Sequence, residues 1–189
     1  FSNRDVFYIF SGSNDVYRNS LCFYCFGLLF SVNTMIIIET TGGIKEDRNL
    51  AENVMDFCVK KLLSRHRNLH IQCIIRNTLK ENAYGFCYKD VGYKSYIIEI
   101  DRRLSRDGII EGVDDGIDAF ISTVCHEMVH VMQNATKSMV STHSWRCKDG
   151  KYRKFSKKEP WETEAYALQG PLAKEFIMNN FNRQGIYVN

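Results

Sequence analysis

At 189 residues, 44% of them hydrophobic and 25% charged, the chain can bury one ordinary domain core and is too apolar for disorder. The net charge of +3 does not by itself call for a nucleic-acid or membrane partner. The seven cysteines (Cys22, Cys25, Cys58, Cys73, Cys87, Cys125, Cys147) are an odd number, and several lie inside apolar patterns. That excludes a disulfide framework and points to a reducing, cytoplasmic compartment.

Residues 21–38 are mostly apolar, with no charge between Arg18 and Glu39. Their length makes them a membrane-span or signal candidate, which would tether the chain to a membrane. Ser31, Asn33 and Thr34 and the β-branched run that follows speak against a span. Met35 opens a strand-like run, Met35–Thr40, that ends at Gly42-Gly43. It is a candidate true start, which leaves residues 1–34 as an N-terminal extension and residues 35–189 as the domain. The remaining alternative makes residues 1–34 an integral part of the fold.

Between 46 and 65, Leu50, Val54, Phe57, Cys58 and Leu62 recur at helical spacing. Asn68 marks a turn. From Leu69 to Arg76 the chain alternates with the period of a strand. Residues 84–88 and 94–101 read as two more strands, joined by a hairpin connection at Lys89-Asp90-Val91-Gly92. Residues 102–116 read as loop. A helix over 117–133 carries Ile117, Phe120, Ile121, Val124, Met128 and Val131 as one apolar stripe, with Asp114 or Asp115 as its cap. Residues 134–158 read as loop or short hairpin. A helix over 160–168 follows, broken near Gly170-Pro171, and a last helix covers 172–181.

The chemistry lies in His126-Glu127-Met128-Val129-His130. Residues four apart share a helical face, so both imidazoles can reach one ion. Neutral imidazole nitrogen suits Zn2+ at roughly 2.0–2.1 Å. Glu127, rotated ~100° from His126, stands beside that ion as general base toward water and general acid toward a leaving amine. A catalytic zinc takes three protein ligands. The candidates for the third are Glu162, His143 and Glu164. His66 and His70 are also four apart, but His70 starts a strand, so they do not share a face. Cys22-x-x-Cys25 has no partner pair, and Cys125 is expected to pack.

His126-Glu127-x-x-His130 followed by Glu162-x-x-Ala165 resembles the gluzincin pattern, in which a glutamate on a second helix is the third ligand; that position is Glu162. More narrowly, residues 96–168 are similar to small phage-encoded and bacterial metallopeptidases labelled SprT-like. These share a strand before the site, a His-Glu-x-x-His-Val-x-Gln helix (here His126–Gln133) and a Pro-Trp-Glu-x-Glu-Ala-Tyr segment (here Pro160–Tyr166). The resemblance implies a zincin-like α+β domain: a small mixed sheet packed on the helix of the two histidines and on a second, ligand-bearing helix. It also implies zinc-dependent peptide hydrolysis, in the host cytoplasm if the chain is phage-encoded, and an edge strand that pairs with an extended peptide, a role for which Tyr96–Ile100 is the candidate.

Two positions depart from the pattern. SprT-type proteases carry a third histidine followed by glycine, whereas His143 is followed by Ser144. Many gluzincins carry Asp or Asn after the small residue, where this chain has Tyr166, so no group that orients a ligand histidine is identified. Tyr152 and Tyr166 are candidates to stabilise an oxyanion. Basic residues over 137–158, interleaved with Trp145, Tyr152 and Phe155, allow DNA contact, and with it the alternative of a non-catalytic, zinc-containing, nucleic-acid-associated protein.

Overall fold

The computed structural model describes residues 7–10, 35–80, 83–92, 94–106, 116–141, 144–147, 150–154 and 160–180. The sheet comprises β1 (Phe7–Phe10), β2 (Met35–Gly42), β3 (Leu69–Arg76), β4 (Gly85–Lys89) and β5 (Ser95–Asp101), in the order β1-β2-β3-β5-β4. Strands β1, β2, β3 and β5 run parallel, and β4 runs antiparallel to β5 at the edge. The helices are α1 (Lys45–Leu62), α2 (Arg103–Arg106), α3 (Gly116–Ala135) and α4 (Pro160–Asn180). A small antiparallel sheet of β6 (Met139–Ser141), β7 (Ser144–Arg146) and β8 (Tyr152–Lys154) links α3 to α4. The architecture is mixed α+β.

Period-two alternation puts Ile36, Ile38, Leu69, Ile71, Cys73, Ile75, Ile98 and Ile100 on one buried face of the sheet. Helices α1 and α3 lie there, contributing Val54, Met55 and Cys58, and Phe120, Val124 and Met128. Cys125 packs in this core with its Sγ 3.7 Å from Cys58 Sγ, as a small apolar side chain would. The five described cysteines are free.

Four sequence expectations change. Tyr96–Ile100 belongs to β5, which is flanked by β3 and β4, so β4 and not β5 is the edge strand. The expected loop at 102–116 begins with α2; residues 107–115, including the cap candidates Asp114 and Asp115, lie outside the described residues. The segment 134–158 carries three strands. The break expected at Gly170-Pro171 is absent, because α4 is one helix with Pro171 inside it. Gly170 has no Cβ to clash with the proline ring, and buried Trp161 and Ala165 before the proline and Leu172, Ala173 and Phe176 after it hold both halves against the core.

Exposed Pro171 still lacks the N–H that the helix needs at that turn. Pro171→Ala is therefore expected to raise stability by about 2 kcal/mol, once the looser unfolded chain is counted, read as a higher urea midpoint.

Part of the segment 1–34 is described: β1, which pairs with β2 through Phe7 opposite Met35 to Phe10 opposite Ile38. Cys22, Cys25 and residues 21–34 of the apolar run lie outside the described residues. Among the described residues no helix is long and apolar enough to cross a membrane.

Asp101 anchors the approach to the edge strand. Its buried carboxylate accepts the Leu79 N–H at 3.0 Å, the Arg103 N–H at 2.9 Å and the Arg103 guanidinium at 2.7–3.2 Å. Burial alone would raise its pKa, but these hydrogen bonds outweigh burial and hold it below the usual value.

Candidate metal centre

Helix α3 presents His126 and His130 on one face, and α4 crosses it with Glu162 in its first turn. On α4, Trp161 and Ala165 are buried against the core, which turns the next row, Glu162, Tyr166 and Gln169, toward the histidines. His126 Nε2 lies 3.2 Å from Glu162 Oε2, His130 Nε2 lies 3.3 Å from Glu162 Oε1, and the two Nε2 atoms are 3.1 Å apart. Donor atoms of these three residues all fall within 4.8 Å of one another.

The other ring nitrogens explain this convergence. His130 Nδ1 is 2.8 Å from Gln133 Oε1. The amide of Gln133 cannot be flipped, because its Nε2 donates to the Trp161 carbonyl at 2.9 Å and to Glu164 Oε2 at 3.0 Å. His130 Nδ1 therefore carries a proton: in the neutral imidazole Nε2 keeps its lone pair, and in the imidazolium Nε2 donates to Glu162. His126 Nδ1 likewise faces Gln169 Oε1 at 2.6 Å. Two lone-pair nitrogens and a carboxylate then point at one spot. With both imidazoles neutral this is repulsive, and a proton on an imidazole relieves it through a hydrogen bond to Glu162; a metal cation would relieve it as a ligand set of the His2Glu type that zinc takes.

Glu162 is held ionised. Hydrogen bonds from His126 and His130 outweigh its partial burial and bring its pKa down to about 2. Burial pulls His130 down, but its hydrogen bonds to Glu162 and Gln133 and the nearby charges of Glu127 and Glu162 reverse the sign, so its pKa lies above the ordinary histidine value. Glu127 is 5% exposed. Burial pushes its carboxyl up to about 7, against the pull of His130 and His126 and with a further push from Glu162. Glu127 is not part of the three-residue donor cluster but stands beside it.

A cleft of about 550 Å³ opens over these groups. It is lined by the edge strand with its lead-in (Ala83–Cys87) and by Tyr166 and Gln169 of α4. The ring of Tyr166 meets His126 edge-on at 4.9 Å.

The structure thus brings together His126, Glu127, His130 and Glu162. Glu164 is bonded to the Gln133 amide and stands outside the donor cluster. His143 lies outside the described residues. Of the tyrosines, Tyr166 lines the cleft, whereas the Tyr152 hydroxyl donates to the Lys137 carbonyl at 3.3 Å. His70 is bonded to Glu39 and Ser95 on the sheet and does not join His66.

Sequence reasoning named Gln133 only as part of a motif and missed Gln169. Both had a signal. Gln133 follows His130 by three residues, and Gln169 follows Glu162 by seven, which on a helix keeps each on the face of its partner. Replacing Gln169 by Leu is expected to weaken zinc binding by about 10–100-fold, measured by chelator competition.

No family model, no curated protein and no solved structure matches this chain.

Proposed function

We propose that this chain is a zinc-dependent metallopeptidase with a zincin-like domain of the gluzincin kind, close in pattern to the SprT-like group. His126, His130 and Glu162 hold Zn2+, and Glu127 is the general base. The observation that carries the reading is the convergence of two imidazoles, each held at Nδ1 by a glutamine, and an ionised carboxylate on one point, beside a buried glutamate that lines a cleft.

A zinc ion held there supplies Lewis acidity, lowering the pKa of water toward ~7 and polarising a carbonyl. The chain's own groups do the rest. Gln133 and Gln169 keep the imidazoles turned to the donor point. Glu127 accepts the proton of the attacking water and passes it to the departing amine. Strand β4, the edge strand, offers main-chain hydrogen bonds along the cleft to an extended peptide. The free cysteines favour a cytoplasmic setting, the host's if the chain is phage-encoded. A membrane-tethered form through residues 21–38 is the minor alternative.

The test is digestion of a peptide library by the zinc-loaded protein, with and without a chelator. Cleavage that stops on chelation and returns with zinc is expected; a zinc-loaded protein that cuts nothing contradicts the reading.

One observation favours a second reading. Lys151, Tyr152, Arg153 and Lys154 are four consecutive exposed residues on and beside β8. They suit nucleic-acid contact by a zinc-containing protein that does no chemistry. That reading expects DNA binding that weakens steeply with salt, and no cleavage.

A further inference from the structure

We infer that Gly85 is a positioning residue for Glu127: the bare backbone of the edge strand at this point leaves the space that the Glu127 carboxylate fills. The inference rests on the reading of Glu127 as general base. Gly85 is not among the glycines with positive φ, so its backbone conformation gives no reason for glycine. Its surroundings do. A Cβ at position 85 would stand 2.6 Å from Glu127 Oε1, 3.0 Å from Glu127 Cδ and 2.9 Å from Thr123 Cγ2. A glycine in a strand weakens it, and its recurring use is to let another group come close.

With a side chain at 85 something must give, and most of the neighbours are held. Position 85 pairs with Ile100 on β5, and the next residue of β5, Asp101, donates its N–H to the Tyr84 carbonyl at 3.0 Å. Helix α3 is locked by fully buried Phe120, Val124 and Met128. The Thr123 hydroxyl donates to the Ala119 carbonyl at 2.8 Å, which fixes its rotamer. The free end of the Glu127 side chain is the part that can move. A methyl at 85 therefore displaces the carboxylate, and its contact with Thr123 Cγ2 adds a small local shift that removal of the Thr123 side chain relieves. His126, His130 and Glu162 are not among the atoms that the added Cβ meets most closely, so zinc affinity is the readout that separates a displaced Glu127 from displaced ligands.

The test compares zinc-loaded wild type, Gly85→Ala, Glu127→Asp and the double variant on one peptide substrate, with zinc affinity measured by chelator competition. Gly85→Ala is expected to keep its zinc affinity and KM while kcat falls by about 100-fold, the scale of a 1 Å misplacement of a catalytic group. Shortening Glu127 to Asp should cost less in the Gly85→Ala background than in the wild-type background, because the retracted carboxylate no longer meets the methyl. A role confined to fold stability predicts additive effects instead. Equal kcat in Gly85→Ala and wild type overturns the inference while leaving the proposed function intact. A wild type without zinc-dependent hydrolysis overturns the function itself, and the inference with it. If Gly85→Ala does not fold, Gly85→Ala/Thr123→Ala removes one of the close contacts and keeps the one to Glu127. It must then show the same kcat loss relative to Thr123→Ala, and no loss overturns the inference.

Discussion

Glu127→Gln is expected to lower peptide hydrolysis by about 10²–10⁴-fold while zinc stays bound. The amide keeps the size and position of the carboxylate but cannot take a proton. Because Glu127 lies outside the donor cluster, its loss removes no ligand. Its environment suits proton transfer. A carboxyl 5% exposed, with its pKa pushed to about 7 by burial, holds and releases a proton near neutrality. Steady-state cleavage of a peptide found in the library digestion, with zinc measured on the same samples, checks the prediction. A variant with full activity contradicts the assigned role.

The same burial makes a second large effect, on the metal-free protein. A carboxyl with pKa about 7 in the fold and 4.5 when unfolded binds its proton more tightly in the native state. Between pH 4.5 and 7 the native state therefore carries more protons than the unfolded state, and stability falls as pH rises. The loss amounts to about 3 kcal/mol. His130, raised above 6.5, adds a loss of the same sign: its contribution is complete below 6.5 and disappears as pH rises through its folded value. Glu162 acts in the opposite direction. Its contribution is present above 4.5 and is lost as pH falls through about 2. The site thus stabilises the chelated protein best near pH 4.5. Urea unfolding in the presence of chelator should show the fall toward pH 7 in wild type and a much flatter profile in Glu127→Gln. Equal slopes would mean that Glu127 is not held protonated.

Much of this was legible in the sequence where a period was strong. Leu69–Arg76 alternates with Ile74 as the one apolar residue on its other phase, and its strand begins and ends at those residues. The apolar stripe of α3 and the four-residue spacing of His126 and His130 fixed a helix and a shared face at once. Glu162 could be placed because Trp161 and Ala165 on either side of it had to pack. The rest depended on contacts between distant segments. Gly170-Pro171 reads as a break by local rules, and only packing on both sides of it keeps α4 whole. Which strand takes the sheet edge depends on β5 inserting beside β3, an event that alternation in 95–101 cannot report. The bond from Gln169 to His126 spans 43 residues. Gly85 looks like any turn-adjacent glycine until α3 is laid against it.

The most direct test of the metal centre is metal analysis of wild type beside Glu162→Ala and His143→Ala after purification without added chelator. A centre built on His126, His130 and Glu162 predicts about one zinc per chain in wild type and in His143→Ala, and its loss in Glu162→Ala. Zinc retained by Glu162→Ala and lost from His143→Ala would contradict it.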